Sequence, residues 1–186
     1  KRQVCELPNS IELIGGENIV VKNCQLGAQP TGITCKVQEV NKLSFINNQV
    51  YPDGRENLVL DACDNCVIEG NNFKSYYNGI LVLNGNDNTV NKNIFWLTGA
   101  VQNQLLDHGD DFGIINVKGN NNMVASNSLS CEWAYAGAVT VNAVQGTGNV
   151  FKNCFVDNLE SYRVFLVNAQ TEVSNCVSSD KVSIVE

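Results

Sequence analysis

Charge is scarce in this sequence, and so are several residue types that carry particular chemistry. Of 186 residues only 17% are charged, with 12 Lys and Arg against 19 Asp and Glu, for a formal net charge of −7. No basic cluster occurs beyond Lys1-Arg2, which argues against nucleic acid or an anionic membrane surface as partner. No apolar run is long enough to span a membrane. The single histidine, His108, is the one base a Ser-His-Asp triad could use, and no nucleophile-elbow sequence accompanies it. There is no Gly-rich phosphate loop, so a nucleotide is not expected. No Asn-x-Ser/Thr acceptor occurs, so N-glycosylation is not expected either. The start "KRQ" has no signal-peptide hydrophobic region, and Lys1-Arg2 resembles a dibasic processing site of the fungal secretory type. A chain already cut from a precursor is the expectation.

What is abundant is Asn, with 28 copies, and 44% of the chain is hydrophobic, a globular fraction. Asn is poor inside helices and suits turns and left-handed positions. Its placement is periodic. "NTVNKNIF" (88–95) has counterparts in "NIVVKNCQ" (18–25), "CVIEGNNF" (66–73) and "NMVASNSL" (122–129). Aligned on one Asn, these give anchors at Asn23, Asn48, Asn71, Asn93, Asn127, Asn153 and Asn175, separated by 25, 23, 22, 34, 26 and 22 residues. An apolar residue stands three before most anchors (Val20, Phe45, Ile68, Val90, Val124, Val150) and two after (Val50, Phe73, Phe95, Leu129, Phe155, Val177). Gln25 and Glu172 break these rules.

A second set of short, β-branched runs lies half a period upstream, among them "GITCKV" (32–37), "NLVLDA" (57–62) and "GILVLN" (79–84). Several short strands per repeat, with no room for a helix, imply a parallel β-helix. Equivalent residues of successive coils then stack at roughly 4.8 Å. The anchor Asn becomes a structural ladder of amide hydrogen bonds rather than a catalytic group, since an amide does not transfer protons near neutral pH. The expected fold is all-β: a single-domain parallel β-helix of about seven coils over residues 1–186. Residues 1–15 and 178–186 are the expected end caps, because open strand edges need cover.

Eight cysteines (Cys5, Cys24, Cys35, Cys63, Cys66, Cys131, Cys154, Cys176) are an even number. They are expected mainly as disulfides in an oxidising, extracellular compartment. Buried free thiols are the alternative. Cys154 and Cys176 follow their anchors in adjacent coils and are the expected pair; Cys5 is expected to reach Cys24 or Cys35. One C-x-x-C, at Cys63 and Cys66, with no second pair at finger spacing, argues against zinc.

The 34-residue interval holds an inserted loop, 96–111, with Trp96, Asp107, Asp110 and Asp111. A second protrusion, "CEWAYAG" (131–137), carries Glu132, Trp133 and Tyr135. Aromatic faces beside carboxylates and amides suit carbohydrate: apolar stacking plus hydroxyl hydrogen bonds. The expected binding set is Trp96, Asp107, Asp110, Asp111, Trp133 and Tyr135, with a polysaccharide or cell-wall glycan as partner; packing of both tryptophans on the coil flank is the alternative. The Asp-rich stretch reads as a solvated turn, a Ca²⁺ site at Asp107, Asp110 and Asp111, or a carboxylate pair for glycosidic chemistry, with Glu132 as a further candidate. No cofactor is expected apart from that Ca²⁺ alternative.

Three runs together, "YPDGRENLVLDACDNCVIEGNNF" (51–73), "YYNGILVLNGNDNTVNKNIF" (76–95) and "GDDFGIINVKGNNNMVASNSL" (109–129), resemble the carboxy-terminal half of the inulin fructotransferases. Those are right-handed parallel β-helix enzymes, usually trimeric, that convert fructan ends to cyclic difructose anhydrides. The resemblance spans about residues 30–177. It implies right-handed coils and, by analogy, a trimer. It also implies a catalytic Asp and a Glu about ten residues later; these positions fall on Thr31 and about Asn41, with Glu39 close but out of register. The family's amino-terminal coils, which help build its substrate site, have no counterpart here. The expectation is therefore a secreted, cell-wall-associated protein that binds carbohydrate without catalysis. A fructan-processing enzyme is the first rival, and a purely structural or host-interaction protein the second.

Overall fold

Short runs, most of them alternating apolar and polar residues, build strands of two to seven residues joined by sharp corners, many of them turned by a residue at positive φ. A computed structural model describes residues 9–27, 32–51, 56–76, 79–98, 112–131, 139–157, 163–177 and 181–185. Every strand pairs in parallel with the strand about three places on, forming three sheets. The first sheet stacks β1 (Ile11–Glu17), β4 (Cys35–Asn41), β7 (Leu58–Asp61), β10 (Leu81–Asn84), β13 (Ile115–Val117), β16 (Val141–Ala143), β19 (Phe165–Asn168) and β21 (Val182–Val185). The second stacks β2 (Val20–Lys22), β5 (Ser44–Ile46), β8 (Val67–Glu69), β11 (Thr89–Asn91), β14 (Met123–Ala125), β17 (Val150–Lys152) and β20 (Glu172–Ser174). The third stacks β3 (Gln25–Leu26), β6 (Gln49–Val50), β9 (Asn72–Ser75), β12 (Ile94–Leu97), β15 (Ser128–Cys131) and β18 (Phe155–Asp157). After β18 the third sheet has no further strand among the described residues, so the single figure of about seven coils does not describe the stack. β1 begins inside the expected 1–15 cap and runs past it to Glu17, β21 lies within the expected 178–186 cap, and β12 runs into the start of the expected 96–111 loop.

Inward side chains form one continuous core. Phe73 and Phe95 stack face to face with ring centroids 5.0 Å apart, and Phe45 joins them at 6.1 Å. Leu58, Leu60, Leu81, Leu83 and Ile115 from the first sheet are fully enclosed beside them.

Two columns of buried amides run through this core. In the first, each Asn side chain receives two hydrogen bonds from the coil before it. Asn48 donates its backbone N–H and its Nδ2 to Asn71 Oδ1 (2.8 and 3.0 Å). Asn71 does the same to Asn93 Oδ1 (2.9 and 2.9 Å), and Asn93 to Asn127 Oδ1 (2.9 and 3.0 Å). The second Nδ2 hydrogen goes to a carbonyl of the preceding coil, Phe45 O for Asn71 and Ile68 O for Asn93. Each inner amide thus satisfies its two donors and its oxygen in a dry interior.

This column departs from the expected anchors at its ends. Asn23, Asn153 and Asn175 stand one residue before the inward position and occupy the left-handed corner instead, with φ of 57°, 54° and 52°. Asn47, Gly70, Lys92 and Ser126 hold that corner in the other coils. The inward positions beside the three misplaced anchors belong to Cys24, Cys154 and Cys176; at Cys154 and Cys176 sulfur takes the amide oxygen's part as acceptor, and at Cys24 the backbone N–H keeps its bond to the column. Cys24 N donates to Asn48 Oδ1 at 3.0 Å, and Cys154 N donates to Cys176 Sγ at 3.4 Å.

The expected disulfide staples are not formed. Cys24, Cys35, Cys63, Cys66, Cys131, Cys154 and Cys176 are all free thiols, and Cys5 lies outside the described residues. Four of them, Cys35, Cys63, Cys66 and Cys154, are at most 3% exposed and fill the core as small apolar groups. Cys154 and Cys176 do stack on adjacent coils, but as a hydrogen-bonded thiol pair.

The second column was not anticipated. Asn88 donates N–H and Nδ2 to Asn122 Oδ1 (3.0 and 3.0 Å), and Asn122 likewise to Asn149 Oδ1 (2.9 and 3.1 Å); Cys66 N donates to Asn88 Oδ1 at 2.8 Å. Near this corner Gly85 and Gly119 lie so close to the coils below that a Cβ would strike Cys63 O and Gly85 O respectively. Only glycine fits at those two places.

Two stability outcomes follow. Asn93→Ala strands the Asn71 donors and Ile68 O, and should cost about 3–5 kcal/mol in urea unfolding. Ala62, exposed at φ 51°, should gain about 0.5 kcal/mol as Ala62→Gly, because the left-handed strain on Cβ disappears.

Candidate functional site: the outer face of the third sheet

Outward positions of the third sheet form rows one strand spacing apart. Gln49, Asn72, Ile94, Ser128 and Phe155 make one row; Lys74, Trp96, Ser130 and Asp157 make the next. Ile94 is 50% exposed, Phe155 51% and Trp96 37%. Tyr51, just after β6, is also exposed. Period-two alternation explains the arrangement: Phe95 and Leu97 point inward, so Ile94 and Trp96 point out.

Lys74 Nζ lies 4.1 Å from the Trp96 ring centroid. The cation sits against the ring's negative face and fixes the indole's orientation. A half-exposed, oriented indole beside Ser130, Ser128 and Asn72 can stack on the C–H face of a sugar while neighbouring groups meet its hydroxyls.

Trp96 is the only member of the expected binding set among the described residues. Asp107, Asp110, Asp111, Glu132, Trp133 and Tyr135 lie outside the described residues, as does Thr31. The expected Ca²⁺ alternative at Asp107, Asp110 and Asp111 therefore lies outside them too. Asn41, near the position the resemblance implies for a catalytic Glu, ends β4 and is held between coils: its Nδ2 donates to Glu17 Oε1 (3.4 Å) and its Oδ1 accepts from Asn65 Nδ2 (3.1 Å). Glu39 sits in a left-handed bulge at φ 54°.

Three of the buried thiols, Cys35, Cys63 and Cys66, are poor candidates for chemistry. Burial, with a smaller contribution from nearby Cys24, pushes Cys35 up to about 12, and burial raises Cys66 to about 11. Burial also raises Cys63. Thiols held protonated at neutral pH are weak nucleophiles and weak metal ligands. The Cys154 thiol is raised because it hydrogen-bonds to Cys176 within the buried pair.

Lys74 and the second amide column were missed from the sequence. The column had a signal: Asn88, Asn122 and Asn149 each stand five residues before an inward ladder position, at Asn93, Asn127 and Cys154. Lys74 had none, because its role depends on β9 and β12 pairing in register, Lys74 against Trp96.

Stacked parallel strands around one apolar core, with amide columns at the corners, define a β-solenoid. The chain belongs to the right-handed β-helix family: the family model described as "right handed beta helix region" matches residues 31–184. No match is found among curated proteins. Among solved structures the chain is similar to DFA-IIIase from Arthrobacter chlorophenolicus A6 without its lid, at 20% identity and TM-score 0.79, covering 97% of this chain and 53% of that one. The same enzyme in complex with GF2 matches at 21% identity and TM-score 0.75, covering 92% of this chain and 46% of that one. A variant in complex with DFA-III gives 20% identity and TM-score 0.74, covering 92% and 48%. This chain thus spans about half the length of these enzymes. At such identities the likeness establishes the fold, and it agrees with the inulin fructotransferase resemblance read from the sequence.

The buried thiols give a pH dependence. A thiol whose pKa is higher in the fold than in the open chain favours the fold fully below about pH 9, where both forms are protonated, and the advantage is lost as pH rises toward the folded value. With Cys35 near 12 and Cys66 near 11 against an ordinary 9.0, the urea midpoint should fall progressively above pH 9. In Cys35→Ala the fall should be shallower.

Proposed function

We propose that this chain is a carbohydrate-binding β-helix protein that contacts its ligand through the outer face of the third sheet. The observation that carries the reading is Trp96, half exposed on a regular strand and oriented by Lys74, with serine and asparagine side chains at strand spacing around it. Structures similar to this chain include DFA-IIIase bound to GF2 and to DFA-III, which supports a short fructan as the first ligand to try. Binding without turnover is the favoured form of the proposal, since the positions matching the family's catalytic carboxylates are Thr31 and about Asn41. The extracellular, cell-wall location expected from the cysteine count has no disulfide to support it, and the proposal does not depend on it.

The neighbours being DFA-IIIases favours one rival, a fructan-processing enzyme using Asp107, Asp110, Asp111 or Glu132. Titration calorimetry with GF2, together with product analysis after prolonged incubation with inulin, separates the two. The expected outcome is saturable GF2 binding that weakens about tenfold in Trp96→Ala, a loss of about 1.4 kcal/mol, with inulin unchanged. Turnover abolished by Asp110→Asn and Asp111→Asn would establish the rival. Absence of binding, or binding indifferent to Trp96, would overturn the proposal.

A further inference from the structure

Along the inward column Asn48, Asn71, Asn93 and Asn127 give way to two consecutive cysteines, Cys154 and Cys176. The change forfeits hydrogen bonds that the column elsewhere makes in pairs, because a thiol is a weak donor and a weak acceptor. Asn127 Nδ2 stands 4.0 Å from Cys154 Sγ, against 3.0 Å for Asn93 Nδ2 to Asn127 Oδ1. At the other end of the column Cys24 stands alone and keeps its backbone bond to Asn48. Two thiols in succession break a rule the core otherwise follows, and such breaks concentrate at functional sites.

The two cysteines face each other by register. Lys152 pairs with Ser174, and Val177 N donates to Cys154 O at 3.0 Å, so Cys154 and Cys176 stack on adjacent coils. Parallel strands hold such neighbours roughly 4.8 Å apart. Each follows a left-handed corner, Asn153 at φ 54° and Asn175 at φ 52°. The thiols share an S–H···S hydrogen bond. Each sulfur also meets one N–H group, Cys176 Sγ from Cys154 N at 3.4 Å and Cys154 Sγ from Asn127 Nδ2. Cys154 is 3% exposed and Cys176 6%, against 0–1% for Cys35, Cys63 and Cys66. The pair is dry, yet it lies next to β18, the end of the third sheet among the described residues.

We infer that Cys154 and Cys176 form a two-coordinate site for copper(I). A linear sulfur–metal–sulfur unit spans about 4.5 Å, twice a metal–thiolate bond of roughly 2.3 Å, and so fits the strand spacing. The ion takes the place of the shared hydrogen. Both thiols release a proton to solvent, copper(I) forms a bond to each sulfur and keeps its oxidation state, and no electron moves. The complex carries one negative charge, which the two N–H groups face. Soft thiolates also suit zinc and iron–sulfur clusters, but those call for four ligands. No group of three or more His, Cys, Asp or Glu able to hold a metal occurs among the described residues. The inference goes beyond the carbohydrate reading and uses none of the outward residues of the third sheet.

The test titrates copper(I), supplied as its acetonitrile salt, into the reduced full chain without oxygen and against a chromophoric copper(I) chelator. The expected result is one equivalent held by the protein, with X-ray absorption showing two sulfur neighbours and no nitrogen or oxygen. Cys154→Ser and Cys176→Ser should each weaken binding about a hundredfold or more. Cys176→Asn returns an amide to the column, so it should fold with undiminished thermal stability and still lose the copper. Cys66→Ala should bind as the unaltered chain does, and zinc at the same concentration should not be retained. No copper held against the chelator, copper that survives Cys176→Asn, zinc held equally well, or a copper centre with three or more protein ligands would overturn the inference. Copper lost in Cys66→Ala but kept in Cys176→Asn would overturn it in favour of the Cys63–Cys66 corner. None of these measurements involves Trp96 or a sugar, so the carbohydrate proposal stands or falls separately.

Discussion

The structure depends on a single constraint: the carboxamides of the two buried columns must find partners on the coils above and below. An unpaired buried amide costs about 1–3 kcal/mol, a large share of a small domain's stability, whereas a fully paired one locks geometry. The two columns meet this constraint because parallel coils repeat at strand spacing. One Oδ1 accepts both donors of the residue beneath it, and Nδ2 spends its second hydrogen on a carbonyl of the earlier coil. A coil shifted by one residue would break both columns at once, so the amides fix register more strictly than the interchangeable apolar side chains around them. The left-handed residue before each inward position makes the corner. Corner and column are thus two halves of one device.

That device frees the outside of the solenoid. With register fixed from within, outward positions form straight rows whose chemistry can vary without disturbing the fold. The third sheet uses this freedom for Trp96, Ile94 and Phe155. Theirs is a shallow face rather than a cleft, which suits an extended, hydroxyl-rich ligand held by several weak contacts. Where the Asn column ends, cysteine substitutes: Cys24, Cys154 and Cys176 keep the inward position and part of the hydrogen bonding.

The sequence revealed the solenoid because its period is carried by residue types. Asn48, Asn71, Asn93 and Asn127 are visible as anchors, and the runs around Leu58 and Leu81 are visible as strands. The same reading misassigned the ends, since two adjacent positions, the corner and the inward site, both favour Asn. Where Cys replaces the inward Asn, the eye settles on the corner residue: Asn23, Asn153 or Asn175. The cysteine count pointed to disulfides because parity carries no information about direction, and these side chains point into the core as thiols. Trp96 was legible as an aromatic near polar residues. The Lys74 contact was not, because Lys74 and Trp96 are distant in sequence and are brought together only by register.

A double-mutant cycle on Asn71 and Asn93, in equilibrium urea unfolding, tests the central claim most directly. If the column is a coupled hydrogen-bond chain, removing both amides should cost less than the sum of the single losses, by on the order of 1 kcal/mol or more, since the second deletion removes groups the first already left unpaired. Strict additivity, with each change costing no more than an ordinary surface substitution, would show that the amides are passengers and that apolar stacking alone holds the coils in register.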